Sequence, residues 1–229
     1  TLLRSYKEHF TDCTIMEYIE LQNTLPEAFK QQNIIQSDIW HQVFRFQKNK
    51  IYLIKAVSGA GKSSLCSYLY GERKDYQGII TFDNSNISSL NAKDWTTIRR
   101  NNISQIFQDL RLFPELTALE NIQIKNNLTR RRKRKEIVNW FERLGLAEHI
   151  KRPVGKLSFG QQQRVAFIRS LCQPFDFILL DEPVSHLDKN NANEMSNILL
   201  EEFEKNSFGV IVTSIGRDLE LPYDYIMNL

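Results

Sequence analysis

Ile51-Tyr52-Leu53-Ile54-Lys55-Ala56-Val57-Ser58-Gly59-Ala60-Gly61-Lys62-Ser63-Ser64 is the stretch from which the rest of the chain is read. Its first four residues are aliphatic or aromatic and suit a short buried strand. Ala56 to Lys62 then forms a loop, and Ser63 to Tyr70 reads as a helix that stops at Gly71. Strand, glycine-containing loop and helix in that order are what a phosphate cradle requires. Gly59 and Gly61 allow backbone N–H groups to turn inward around phosphate oxygens, with Ser58, Ala60 and Ser64 completing the lining. The helix start adds its dipole and free N–H groups. Lys62 would neutralise the β- and γ-phosphates, and the Ser63 hydroxyl would ligate Mg²⁺. The usual pattern is G-x-x-x-x-G-K-[ST], and Ala56 replaces its first glycine. Alanine is acceptable there only if its φ is negative. By itself the motif also fits an ordinary strand-to-helix turn.

Further along, Phe177-Ile178-Leu179-Leu180 is a second buried strand that delivers Asp181 and Glu182 to its carboxyl end. Ligands bind at that end in open α/β sheets. Asp181 would hold Mg²⁺ through water, and Glu182 would accept a proton from the hydrolytic water. Adjacent carboxylates there face opposite sides, so two roles are compatible; a charged strand end before a Pro turn is the plainer alternative. Other strands are read at Gly78 to Phe82 and Gly209 to Val212, with Asp83 to Asn86 as a turn. Glu17 to Gln22 and Trp40 to Phe46 read as strands of a smaller sheet, split by the polar stretch Lys30 to Asp38. Helices are expected over Glu136 to Leu144, after Ser158 through Val165 to Ile168, and from about Asn190 to Lys205. Strands alternating with helices imply a parallel sheet covered on both faces. No internal repeat is present, so a single unit is expected across residues 1–229.

A chain of 229 residues with 41% hydrophobic content can bury one good core and a satellite subdomain. The net charge of +3 is too small to argue for nucleic acid, and no nucleic-acid partner is expected. Cys13, Cys66 and Cys172 show no pairing or metal-ligand spacing, which suits a reducing, cytoplasmic compartment. No apolar run approaches the roughly 18 residues of a membrane span, and no apolar signal segment follows Thr1. A membrane would therefore be met through a partner. The basic run Thr129 to Lys135 lacks interleaved aromatics and reads as a solvated helix start, with anionic headgroup contact as the alternative.

Leu157-Ser158-Phe159-Gly160-Gln161-Gln162-Gln163-Arg164, set shortly before the Asp181-Glu182 strand, resembles the signature segment of the ATP-binding cassette (ABC) ATPases. Ile103 to Asp109 looks like their Q-loop, with Gln108 as its glutamine, and Ser185-His186-Leu187-Asp188 like their D-loop. Leu112 to Asn121 is similar to ATPases of the lipoprotein-release, macrolide-export and cell-division type, where Leu-Thr-x-x-Glu-Asn recurs. The resemblance runs from about Tyr18 to Leu229. It implies an α/β fold: a P-loop NTPase core, a small N-terminal antiparallel β subdomain and an inserted helical subdomain. Residues 17–108 and 165–229 would form the β subdomain and core, and 109–164 the helical part. It further implies ATP and Mg²⁺ as ligands, and a second nucleotide-binding domain meeting this one head-to-tail. Ser158, Gly160 and Gln161 would meet the γ-phosphate held by the partner's loop, and Asp188 would link the two sites. Gln108 would contact Mg²⁺ and the attacking water and couple the core to the helical subdomain. A separate transmembrane permease subunit would hold the pair on the cytoplasmic face of the membrane.

Besides Ala56, other positions depart from that family's pattern. Phe159 stands where Gly is more usual, and Ser214 stands in place of the switch His beside the γ-phosphate. Ser is shorter and cannot become cationic, which predicts slower hydrolysis. The adenine-stacking aromatic would be Phe29, with a plain core or loop Phe as the alternative. Two other functions compete: a soluble cassette of DNA repair or translation, and a regulatory cassette that closes on ATP but scarcely hydrolyses it. The first would ordinarily carry a coiled-coil insertion, a zinc module or two cassettes in one chain.

Overall fold

The computed structural model describes residues 15–30 and 36–229, so Cys13 and part of the polar stretch before Asp38 lie outside the described residues. Two sheets organise the molecule. The first is antiparallel, in the order β2-β1-β4-β5, from β1 (Tyr18–Pro26), β2 (Val43–Gln47), β4 (Tyr76–Phe82) and β5 (Ser85–Asn86). The second is parallel, in the order β6-β7-β8-β3-β9, from β3 (Ile51–Lys55), β6 (Ile103–Ile106), β7 (Phe177–Asp181), β8 (Gly209–Ser214) and β9 (Tyr225–Asn228). The expected combination of a small antiparallel sheet and a helix-covered parallel sheet is what the chain forms.

Alternation along the parallel strands explains why both faces are covered. Ile178 and Leu180 face a core completed by α3 (Ala118–Thr129), α4 (Arg134–Arg143), α5 (Phe159–Ser170) and α6 (Lys189–Lys205). Phe177 and Leu179 face the other core, shared with α1 (Lys62–Leu69), α2 (Ala92–Asn101) and the antiparallel sheet. Ile51 and Leu53 against Tyr52 and Ile54 divide in the same way. At β7 both faces are sealed, and all five of its residues are buried. That rigid strand fixes where Asp181 sits.

The strand expected over Trp40 to Phe46 begins only at Val43. Ser37 Oγ accepts from the Ile39 and Trp40 backbone N–H groups, closing a turn in place of extended chain. His41 then takes a φ of +59°, which turns the chain out of the extended region. Trp40 ends with only 1% of its surface exposed. Two helices that periodicity had not delimited are set by capping boxes, Asn91 with Asp94 for α2 and Thr117 with Glu120 for α3.

Candidate functional site

β3 runs into the phosphate-loop segment between β8 and β9, and Ala56 N–H donates to Ser214 O across 3.3 Å. Ala56 is absent from the residues of positive φ, so the condition for replacing the first glycine is met. Gly61 is the tightest point. It caps α1 at φ +96°, and a Cβ there would sit 3.1 Å from the Phe29 ring and 3.2 Å from the Trp40 ring. Any other residue would meet both a conformational and a steric penalty. The Trp40 indole N–H donates to Ala60 O at 3.1 Å, so this side chain braces the crest of the loop. Its position before β2 carried no sequence signal for that role.

The Lys62 ammonium donates to Ala56 O at 3.2 Å and Val57 O at 3.1 Å. It also lies 3.9 Å from Glu182 Oε1, with both side chains largely enclosed. Ser63 Oγ donates to Gln108 Oε1 at 3.3 Å. Ser63, Gln108 and Asp181 border one open cavity of about 420 Å³, which Gln105 and Phe107 also line. Asp181 accepts from Thr213 Oγ1 at 2.6 Å, and Glu182 N–H donates to Thr213 O at 3.1 Å. Glu182 itself stands in the left-handed region at φ +51°, a strained state that recurs at functional sites. Five residues singled out from separate parts of the sequence thus meet at the carboxyl end of the parallel sheet. Among the described residues no three His, Cys, Asp or Glu side chains cluster as a metal cage. A hydroxyl, an amide oxygen and one carboxylate suit Mg²⁺, which takes few protein ligands and completes its shell with phosphate and water.

Ser158 is the N-cap of α5, and its Oγ accepts from Gln161 N–H while Gln161 Oε1 accepts from Ser158 N–H. The cap reading and the exposed position of Ser158 therefore coexist. Gly160 lies against the D-loop segment, where a Cβ would come 2.8 Å from His186 O. Phe159 packs edge-on to the His186 ring at 4.5 Å and remains 42% exposed. Asp188 caps α6, and its carboxyl is held below the usual range by the Asn191 backbone N–H and then by the Asn191 side chain. Ser158, Gly160 and Gln161 thus gather with residues 185–188 as a second group beside the first.

Phe29 is half-buried, its ring edge against Gly61. Ser214 is 2% exposed, its Oγ donating to Arg217 O at 2.9 Å and accepting from Gly216 N–H at 3.2 Å. The loop after Gln108 holds two consecutive left-handed residues, Leu110 and Arg111. Arg169 of α5 donates to both of their carbonyls at 2.6 Å. Burial lowers the pKa of that guanidinium to about 10, still far above neutrality. Asn121 fastens the next stretch, accepting from Phe113 N–H and donating to the carbonyls of Phe113, Leu116 and Thr117. Arg169 was not singled out from sequence because its work is done on backbone atoms.

Comparison with known proteins bears on the whole of this arrangement. The family model described as "ABC transporter" matches residues 41–185, more than half of the chain. The lipoprotein-releasing system ATP-binding protein LolD of Legionella pneumophila is 34% identical over 167 residues, covering 71% of this chain and 74% of that one. An uncharacterized ABC transporter ATP-binding protein of Mycobacterium tuberculosis is 33% identical over 75% of this chain, which spans only 53% of that relative's length. Among solved structures, the dimeric ABC transporter cassette MJ0796 superposes with a TM-score of 0.72 at 28% identity, covering 86% of this chain and 87% of that one. The same cassette in a post-hydrolysis state bound to ADP and Pi gives 0.69. Phosphate loop, paired acids, capped signature helix and the fold that joins them place this chain in the ABC transporter family.

Proposed function

We propose that this chain binds MgATP, closes head-to-tail with a second cassette around two nucleotides, and hydrolyses ATP to drive a separate membrane subunit. The observation that carries the reading is the meeting of Lys62, Ser63, Gln108, Asp181 and Glu182 at one strand end. Backbone N–H groups along residues 58–64 and the Lys62 ammonium would bind the phosphates. Ser63, Asp181 and Gln108 would hold Mg²⁺, which supplies charge neutralisation on the transferred phosphoryl group. Glu182 would orient the attacking water and take its proton, with the Lys62 ammonium 3.9 Å from its Oε1. Phe29, whose ring edge lies against Gly61, would stack on the adenine. The exposed turn Ser158 to Gln161 would meet the partner's nucleotide, and Asp188 would lie along the junction.

No helix among the described residues is long and apolar enough to cross a membrane, so mechanical output would pass to another chain. Likeness to LolD supports a partner that acts on the cell envelope. A second reading, a cassette that closes on ATP but turns it over slowly, is favoured by one observation: the Ser214 hydroxyl is consumed by its own turn. Purified protein should hydrolyse ATP only with Mg²⁺ present. Lys62→Ala should weaken nucleotide binding about a hundredfold, and Glu182→Gln should lower kcat about a hundredfold with binding kept. Turnover that survives Glu182→Gln would remove Glu182 from the base role.

A further inference from the structure

Gln163 occupies the second turn of α5 and is 2% exposed. Its Nε2 donates to Glu182 O at 3.2 Å and to Ser185 Oγ at 3.0 Å. Its Oε1 accepts from His186 N–H at 3.3 Å. One buried amide therefore uses both donors and an acceptor on three residues of a single loop. That loop starts from the left-handed Glu182 and continues into the segment on which Gly160 and Phe159 rest. The Glu182 peptide is gripped from two sides, by Thr213 O on its N–H and by Gln163 on its carbonyl. Thr213 belongs to β8, inside the rigid parallel sheet, whereas Gln163 rides on the helix whose first turn is exposed.

We propose that Gln163 is a positioning residue that fixes the orientation of Glu182 and transmits movement of the exposed α5 start to it. This rests on Glu182 being the general base and on the Ser158 turn contacting a partner-held nucleotide. Given both, the amide gives each subunit a route from the partner's site to its own. A displaced α5 lets the Glu182 carbonyl go, and the left-handed φ, unfavourable for a side chain with a Cβ, supplies the tendency to relax. Two closed positions of one loop, biased by contact at a distant surface, are what coupling between sites requires.

Gln163→Leu and the near-isosteric Gln163→Glu, which keeps an acceptor and loses both donors, separate this role from general packing. In both, kcat for ATP should fall at least about tenfold while the MgATP dissociation constant stays within about threefold. Amide exchange over residues 182–187 should quicken about tenfold, with the amides of β7 and of α5 beyond its first turn unchanged. Unaltered kcat in a folded variant would overturn the proposal, as would kcat and affinity falling together. Should the unsubstituted protein show no turnover, the hydrolysis reading fails on its own, and exchange still decides here. MgATP should then slow exchange at 182–187 in the unsubstituted chain and leave both variants unprotected; equal protection in all three would refute the tie.

Discussion

At single residues the site is a set of atoms with few alternatives. Gly61 is demanded twice, by its φ of +96° and by two aromatic rings close to where a Cβ would lie. Ala56 shows the opposite case, a replaced glycine at a position whose backbone any residue can adopt. Ser214 ties its hydroxyl to Arg217 and Gly216 and offers no cation toward the phosphates. Ser214→His should therefore raise ATP turnover, severalfold if the imidazole reaches the γ-phosphate. The check is steady-state hydrolysis at saturating MgATP, and an unchanged or lower rate in a folded variant would contradict this account of Ser214. These residues were legible in sequence because each motif fixes residue type and spacing together. Trp40 and Gln163 were not: one works through an indole N–H on a carbonyl, the other through an amide on a loop distant in sequence. Neither contact leaves a local pattern.

At the level of elements, capping chemistry and buried amides decide where helices begin and how loops are held. The segment Leu116 to Asn121, which marks a branch of the family by its letters, is a physical device. Thr117 and Glu120 close a capping box at the start of α3, and Asn121 ties the preceding loop through backbone bonds at Phe113, Leu116 and Thr117. That loop continues from Gln108, so the Q-loop region is held from one side by Arg169 and from the other by Asn121. Asn121→Ala should cost about 1–3 kcal/mol, because the Phe113 N–H loses its acceptor while the carbonyls of Phe113, Leu116 and Thr117 each keep a backbone donor. Denaturant unfolding measures this, and a loss below about 0.5 kcal/mol would show that water replaces the amide freely. Strong apolar runs made β3, β7 and β8 readable, whereas β9 is mostly exposed at the sheet edge and α2 is predominantly polar. Turn chemistry at Ser37 overrode the apolar run at Trp40, which is why β2 starts later than its composition implies.

Across the whole molecule, two groups of functional residues stand side by side and touch through the Glu182 loop. Ser63, Gln108 and Asp181 gather around one cavity, and Ser158, Gly160 and Asp188 gather around another patch of surface. Under the proposed closure each cassette would supply half of each reaction centre, and a second copy or a relative would complete it. Val57 and Ile215, exposed on the loops after β3 and β8, are apolar surface that such a junction would cover. The dimeric cassette that this chain resembles in fold supports that arrangement. The most direct test is the molar mass of Glu182→Gln in solution, measured by sedimentation with and without MgATP, alongside a nucleotide-binding assay. A doubling of mass that needs both ATP and Mg²⁺, and is abolished by Ser158→Arg, is the predicted result. A species that stays monomeric with nucleotide demonstrably bound would contradict closure of two copies on ATP.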